Sequence, residues 1–371
     1  MKKILLLYIT DGSGHHKAAK ALEKAIKRLE PDASINVINC FNYTNPILEK
    51  VINRTYMSVI KNTPEVWDYL YDNPKVVKNT QTLRSLIHRF NSGKLKNLMD
   101  DFAPDAVVCT QAFPCGMVAD YKNTYDVNIP LYGVLTDYYP HSYWVYDSVD
   151  GYIVPSESAM EQLVINGIPR ERIHIFGIPV DAAFAQTTHP EGLTERLGLK
   201  KGVATVLIMG GSQGLGPIKE MVWHLNMIGL AIQIVVLAGT NAKLLKWLRK
   251  KSKFYKVKTV ILEYTDSVAQ LMDISDIIVT KPGGLTTAEA LAKRLPMMII
   301  DPIPGQEMKN THFLLKEGVA VMARDKFEAG ILLKELVNNR SKLGLMKNAA
   351  SGNSKPDSAA RAAELILGSI R

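Results

Sequence analysis

Apolar residues in this chain gather in short unbroken runs. Lys3-Ile-Leu-Leu-Leu-Tyr8, Ala204-Thr-Val-Leu-Ile-Met209 and Ile277-Ile-Val-Thr280 are good examples. Runs of this length, bounded by turn residues, read as strands buried on both faces of a parallel sheet. The pattern predicts strands near 3–9, 34–39, 105–110, 131–136, 151–154 and 173–176, and a second set near 203–209, 232–238, 257–262, 277–280, 297–301 and 319–322. Helical sequence separates them, which calls for an α/β architecture with parallel sheets covered on both faces. A polar stretch from Gln186 to Gly202 divides the sets, giving domains at 1–180 and 181–355. A small-residue helix over 356–371 follows, expected to pack back towards the N-terminal domain.

Three of the predicted strands run into glycine turns that open helices. They are Asp11-Gly-Ser-Gly-His-His-Lys17, Gly210-Gly-Ser-Gln-Gly214 and Lys281-Pro-Gly-Gly-Leu-Thr-Thr-Ala-Glu289. Such turns aim unpaired backbone N–H groups and the positive end of a helix dipole into one loop, where a diphosphate can sit. Glu289, expected in about the first turn of its helix, could accept hydrogen bonds from ribose hydroxyls. The first turn is only partly a dinucleotide fingerprint: Lys17 stands at the third glycine position, and the 34–39 strand ends without an acidic residue. Nicotinamide and flavin cofactors are therefore not expected. The openings after the 3–9 and 203–209 strands, one at the start of each half, suggest two Rossmann-like domains facing each other.

A chain of 371 residues with 47% hydrophobic and 22% charged side chains suits two globular cores. It contains no apolar stretch of the ~20 residues a membrane span needs, and the N-terminus enters a strand without a signal-peptide pattern. A cytoplasmic location is expected. Cys40, Cys109 and Cys115 show no metal-type spacing and read as buried apolar residues. Residues 1–180 carry 19 basic and 19 acidic side chains and residues 181–371 carry 26 and 17, so the net charge of +9 arises in the second half. Lys243 to Lys258 holds eight Lys/Arg and no acid, interleaved with Trp247, Phe254 and Tyr255. Residues 73–99 hold six and no acid, after Tyr56, Trp67, Tyr69 and Tyr71. Cations mixed with aromatics suit an anionic membrane surface, and no nucleic-acid motif accompanies them.

Five motifs in order, Gly12-Ser-Gly-His15, Thr136-Asp-Tyr-Tyr-Pro-His-Ser-Tyr-Trp144, Gly210 to Gly214, Lys281 to Glu289, and Pro304-Gly-Gln-Glu-Met-Lys-Asn310, cover nearly the whole chain. Together they resemble the monogalactosyldiacylglycerol synthase and processive diacylglycerol glucosyltransferase family. That family is related to the lipid-linked N-acetylglucosamine transferase of peptidoglycan synthesis in glycosyltransferase family 28. The resemblance implies a GT-B fold, with an N-terminal acceptor domain and a C-terminal domain binding a UDP-sugar in the cleft between them. It assigns Glu289 to the ribose hydroxyls. It gives the diphosphate to Ser212 with the backbone of Gly210 to Gly214, including Gly211 and Gln213, and that of Gly283, Gly284, Leu285 and Thr286, and it counts Gly14 among the donor-binding residues. Tyr264 and Thr265 fall where the family holds uracil, and Gln306, Glu307 and Asn310 where it binds the sugar hydroxyls.

The implied reaction is an inverting transfer of a hexose from UDP-glucose or UDP-galactose to diacylglycerol, processive in some relatives, at the inner face of the cell membrane. With no Asp-x-Asp triplet, no metal and no other cofactor are expected, and helix N-termini and backbone N–H groups would stabilise the departing diphosphate. His15 and Asp137 are the candidates for the base, both predicted at C-terminal ends of strands. His141 and Trp144 are expected on the acceptor side, and His16 reads as helix surface. Three further readings stay open: transfer of N-acetylglucosamine to an isoprenoid-linked acceptor, a UDP-N-acetylglucosamine 2-epimerase, and a non-catalytic sensor.

Overall fold

The computed structural model describes residues 1–44, 93–186 and 192–370. Much of the basic and aromatic segment, including Tyr56, Trp67, Lys75, Lys78, Arg84 and Arg89, lies outside the described residues. The strands are β1 (Lys3–Tyr8), β2 (Ser34–Asn39), β3 (Ala106–Cys109), β4 (Leu131–Val134), β5 (Gly151–Val154), β6 (Ile173–Ile175), β7 (Ala204–Met209), β8 (Ile232–Leu237), β9 (Thr259–Leu262), β10 (Ile277–Thr280), β11 (Met297–Ile300) and β12 (Ala320–Ala323). All twelve expected strands are present.

They form two six-stranded sheets, β2-β1-β3-β4-β5-β6 and β12-β11-β10-β7-β8-β9. Every pairing is parallel, for example Ile4 with both Ile35 and Ala106, and Ile277 with Val206. Parallel pairing needs a crossover between successive strands, and helices supply it on both faces. This is why β1, β3, β4, β7, β8, β10 and β11 are apolar almost throughout. In each sheet the chain leaves its first strand in one direction and later returns to the other side. Such a reversal opens a crevice beyond the carboxyl ends of the strands. The reversals fall between β1 and β3, and between β7 and β10.

Two compact units result, Met1–Ala182 with Ile303–Lys309 and Lys355–Arg371, and Ala183–Pro302 with Asn310–Ser354. The expected 181–355 domain is therefore interrupted: residues 303–309 cluster with the first unit, where Gln306 and Lys309 meet Asp137 and Tyr139. Helix Ser358–Ser369 also belongs to the first unit. Its Ala362, Ala363 and Ile366 join Leu22 and Ile26 of helix Gly14–Leu29 and Ile4 and Leu6 of β1 in one buried cluster. Alanines on both helices let their backbones approach.

Candidate active site

In the first unit β1 ends in a tight turn, at which Ser13 caps helix Gly14–Leu29 by accepting from His16 N–H. Thr10 in this turn has φ 63°, a left-handed conformation that a β-branched residue adopts only under local constraint. His15, second residue of the helix, points to the ends of the neighbouring strands. Its Nδ1 lies 2.9 Å from the Thr110 carbonyl just after β3 and 2.8 Å from Thr136 Oγ1 beyond β4. A carbonyl only accepts, so the hydrogen-bond network assigns the hydrogen to Nδ1, and Nε2 keeps its lone pair. The Thr110 hydroxyl in turn donates to the His15 carbonyl (3.0 Å). Desolvation pushes the His15 pKa down to about 4, against the opposing pull of the Thr110 carbonyl. The ring is therefore a neutral imidazole at neutral pH.

His16 does more than cover the helix surface. Its ring stacks on Tyr8 at 4.4 Å between centroids, and its Nδ1 accepts from Gly12 N–H at 3.0 Å, so it braces the glycine turn. Tyr8 also donates to Asp11 (2.6 Å). Asp137 accepts a hydrogen bond from the Gln306 amide, and the Lys309 ammonium lies 3.9 Å above the Tyr139 ring. Glu307 accepts from Ile303 N–H (2.8 Å) and so closes the turn that precedes Gln306. His141 packs edge-on to Tyr143. Trp144 is a core residue, 5% exposed, whose carbonyl accepts from the buried Tyr152 hydroxyl (2.6 Å). It can shape an acceptor surface only through the backbone that carries His141 and Tyr143.

In the second unit the loops after the adjacent strands β7 and β10 come together. Gly210 has no room for a side chain: a Cβ there would lie 1.8 Å from the Leu215 carbonyl oxygen. At Gly214, φ +57°, it would meet the Ala238 carbonyl at 2.1 Å. The loop is tied down by Thr240 N–H donating to the Ser212 carbonyl (2.9 Å) and the Asn241 amide donating to the Gly214 carbonyl (3.3 Å). Gln213 is exposed at its tip.

Helix Gly284–Ala292 starts at an uncapped Gly283, so its leading N–H groups, those of Gly284, Leu285 and Thr286, have no intrahelical or side-chain acceptor there. Asn310, fully buried, donates from its amide to the Pro282 carbonyl (3.0 Å). Its observed role is to fix this loop. Lys281 approaches Asp301 (3.6 Å) beside it. Glu289 is the sixth residue of the helix and lies in its second turn, because the helix begins at Gly284. Desolvation, then the neighbouring Asp266, raise the pKa of the exposed Tyr264, and the Glu289 charge adds the smallest contribution. Thr265 Oγ1 accepts from Ser267 N–H (3.1 Å).

Sequence reasoning missed Thr110 and Thr136, which orient His15, and the bracing role of His16. For the two threonines the available signal was their position at the carboxyl ends of the predicted strands 105–110 and 131–136. Among the described residues no group of three His, Cys, Asp or Glu side chains is placed to hold a metal ion. No helix among them is long and apolar enough to cross a membrane.

Known proteins resemble this chain over nearly its whole length. A family model described as monogalactosyldiacylglycerol (MGDG) synthase matches residues 15–180, and one described as glycosyltransferase family 28 C-terminal domain matches residues 205–366. A processive diacylglycerol beta-glucosyltransferase of Bacillus cereus (strain B4264) is 30% identical over 366 residues, covering 98% of this chain and 93% of that protein. Among solved structures, MurG of Acinetobacter baumannii superposes with a TM-score of 0.67 at 13% identity, covering 99% of this chain and 100% of that one. Medicago truncatula UGT71G1, complexed with UDP-glucose, gives 0.61 at 15% identity and covers 99% of each chain. The structural likeness shows the GT-B fold.

Proposed function

The chain belongs to the monogalactosyldiacylglycerol synthase family, with a glycosyltransferase family 28 C-terminal domain, and from that premise we propose that it transfers glucose from UDP-glucose to the hydroxyl of diacylglycerol with inversion. The observation that carries this reading is the end-to-end match to a diacylglycerol glucosyltransferase. The site geometry supplies parts suited to the chemistry.

His15 is the proposed base. With Nδ1–H held by Thr110, its Nε2 lone pair takes the acceptor proton as the hydroxyl oxygen bonds to the anomeric carbon. The bond from that carbon to UDP breaks on the opposite face, and its electrons leave with the diphosphate. The N–H groups of Gly211, Ser212, Gln213, Gly284, Leu285 and Thr286 receive this charge on a preorganised loop and helix terminus, which makes a divalent ion unnecessary. Glu289 takes the ribose hydroxyls and Tyr264 with Thr265 the uracil. Gln306 and Glu307 serve the sugar, and Asn310 keeps the diphosphate loop in place. Asp137, oriented by Gln306, places the acceptor and stabilises the imidazolium that forms. The enzyme works peripherally at the cytoplasmic face of the membrane.

The test is UDP release from UDP-glucose, UDP-galactose and UDP-N-acetylglucosamine, each with and without diacylglycerol vesicles, in EDTA, followed by lipid chromatography. Diacylglycerol-dependent release with a new glucolipid is expected. Release that ignores the lipid would sink the proposal, and a requirement for added metal would remove its metal-free part.

A further inference from the structure

Helix Ala242–Lys251 and the turn Ser252–Phe254 follow β8 in the second unit. Leu244 and Leu248 anchor the helix in the core. The opposite side presents Lys243, Lys246, Arg249 and Lys250, all exposed, and the chain continues through exposed Lys253 and Lys256. No acidic residue interrupts the series from Lys243 to Lys258. Among these cations stands a cluster of rings. Trp223, from the neighbouring helix Ile218–Met227, meets both Trp247 and Phe254 at 6.5 Å in edge-to-face geometry. Ammonium groups lie over the rings: Lys219 over Trp247 (5.9 Å), Lys251 over Trp223 (5.4 Å) and Lys253 over Phe254 (5.1 Å). Phe254 remains 52% exposed.

We propose that this face, Trp223, Trp247 and Phe254 with Lys243, Lys246, Lys250 and Lys253, is a docking surface for an anionic lipid bilayer. It would be a membrane contact of the second unit, additional to whatever residues 73–99 contribute. The choice of partner rests on the lipid-acceptor reading; the surface itself rests on charge and ring placement.

Crowded cations repel one another in water and are matched by a sheet of lipid phosphates. Aromatic side chains with lysines around them settle at headgroup depth, where one end of each is apolar and the other wet. Single-stranded nucleic acid would also answer the charge, but it needs open ring faces on which bases can stack. Here the rings pack edge to face and lysines occupy their faces, which favours the bilayer.

The experiment uses the full chain and co-sedimentation with phosphatidylglycerol/phosphatidylcholine vesicles lacking diacylglycerol. Two variants are compared with wild type: Lys246→Gln/Lys250→Gln/Lys253→Gln, and Phe254→Ser. The triple variant should bind roughly a hundredfold more weakly, from about 1 kcal/mol for each of three cations, and Phe254→Ser should bind several-fold more weakly. Both should keep wild-type UDP affinity and wild-type transfer to a short-chain diacylglycerol presented without vesicles, which also shows that they are folded. Wild-type vesicle binding by both variants would overturn the proposal. So would unchanged vesicle binding combined with lost affinity for an RNA oligonucleotide. Absence of transfer to short-chain diacylglycerol by wild type would count against the proposed reaction and leave the vesicle result standing.

Discussion

At the scale of single residues, the tautomer of His15 decides what the site can do. An imidazole whose Nδ1–H is spent on the Thr110 carbonyl offers one lone pair, and only at Nε2. His15→Gln should therefore lower kcat by roughly 10²–10⁴, the usual worth of a positioned base, while calorimetry shows an unchanged affinity for UDP. A comparable loss of UDP binding would instead place His15 in donor binding. The depressed pKa carries a stability consequence. An unfolded histidine takes up its proton near pH 6.5, whereas folded His15 resists until about 4. The unfolded chain thus binds protons first, and the contribution of His15 to stability is complete above about 6.5 and is lost as pH falls from there towards 4. Melting curves across that interval should fall more steeply for wild type than for His15→Gln; parallel curves would mean that burial does not depress this histidine. The position of His15 was legible in Gly12-Ser-Gly-His15, since a glycine turn after a buried strand points the next residues at the sheet's edge. Its partners were not, because Thr110 and Thr136 lie 95 and 121 residues away and only strand pairing brings them together.

At the scale of elements, the central parallel strands announce themselves because burial on both faces leaves no polar alternation, while the edge strands β2 and β9, only partly buried, were visible as short runs rich in β-branched residues between turn signals. The order of strands within each sheet was not, since pairing between β1 and β3 or β7 and β10 is long-range and has no local signature. Glu289 lies a few residues deeper in its helix than the sequence suggests: Gly283 offers no capping side chain to fix the first residue within the glycine turn, and the helix begins at Gly284. The loop after β7 carries the sharpest expectation at this scale. A Cβ at Gly210 would sit inside the Leu215 backbone, and the loop would have to open to admit it. Gly210→Ala should accordingly weaken UDP binding by at least tenfold, the effect of misaligning two or three N–H donors at roughly 1 kcal/mol each. Vesicle binding should not change. UDP titration checks the first, co-sedimentation the second, and retention of wild-type UDP affinity would remove this loop from the diphosphate site.

At the scale of the whole molecule, the first unit is assembled from both ends of the chain. Local sequence suggested a C-terminal helix but not its seat, because the small residues of Ser358–Ser369 would fit many surfaces. The structure fixes it by several contacts: the Ser358 hydroxyl donates to the Ile178 carbonyl (2.8 Å), Lys2 donates to the Leu367 carbonyl (2.9 Å), and the Arg361 guanidinium lies 4.3 Å above Phe176. Ile366, fully buried, completes the cluster beneath helix Gly14–Leu29, whose second residue is His15. The proposed base therefore stands on a helix that the last residues of the chain help to hold. Ile366→Ala should cost roughly 2–4 kcal/mol, the usual range for emptying a buried aliphatic site, and the loss should fall on the first unit alone. Transfer activity should disappear at a lower temperature than in wild type, while UDP affinity, which the proposed site assigns to the loops after β7 and β10, stays level until the second unit melts. Parallel measurements of transfer and UDP binding against temperature would separate the two curves for the variant. If both fell together, the cluster around Ile366 would be stabilising the protein as one cooperative body.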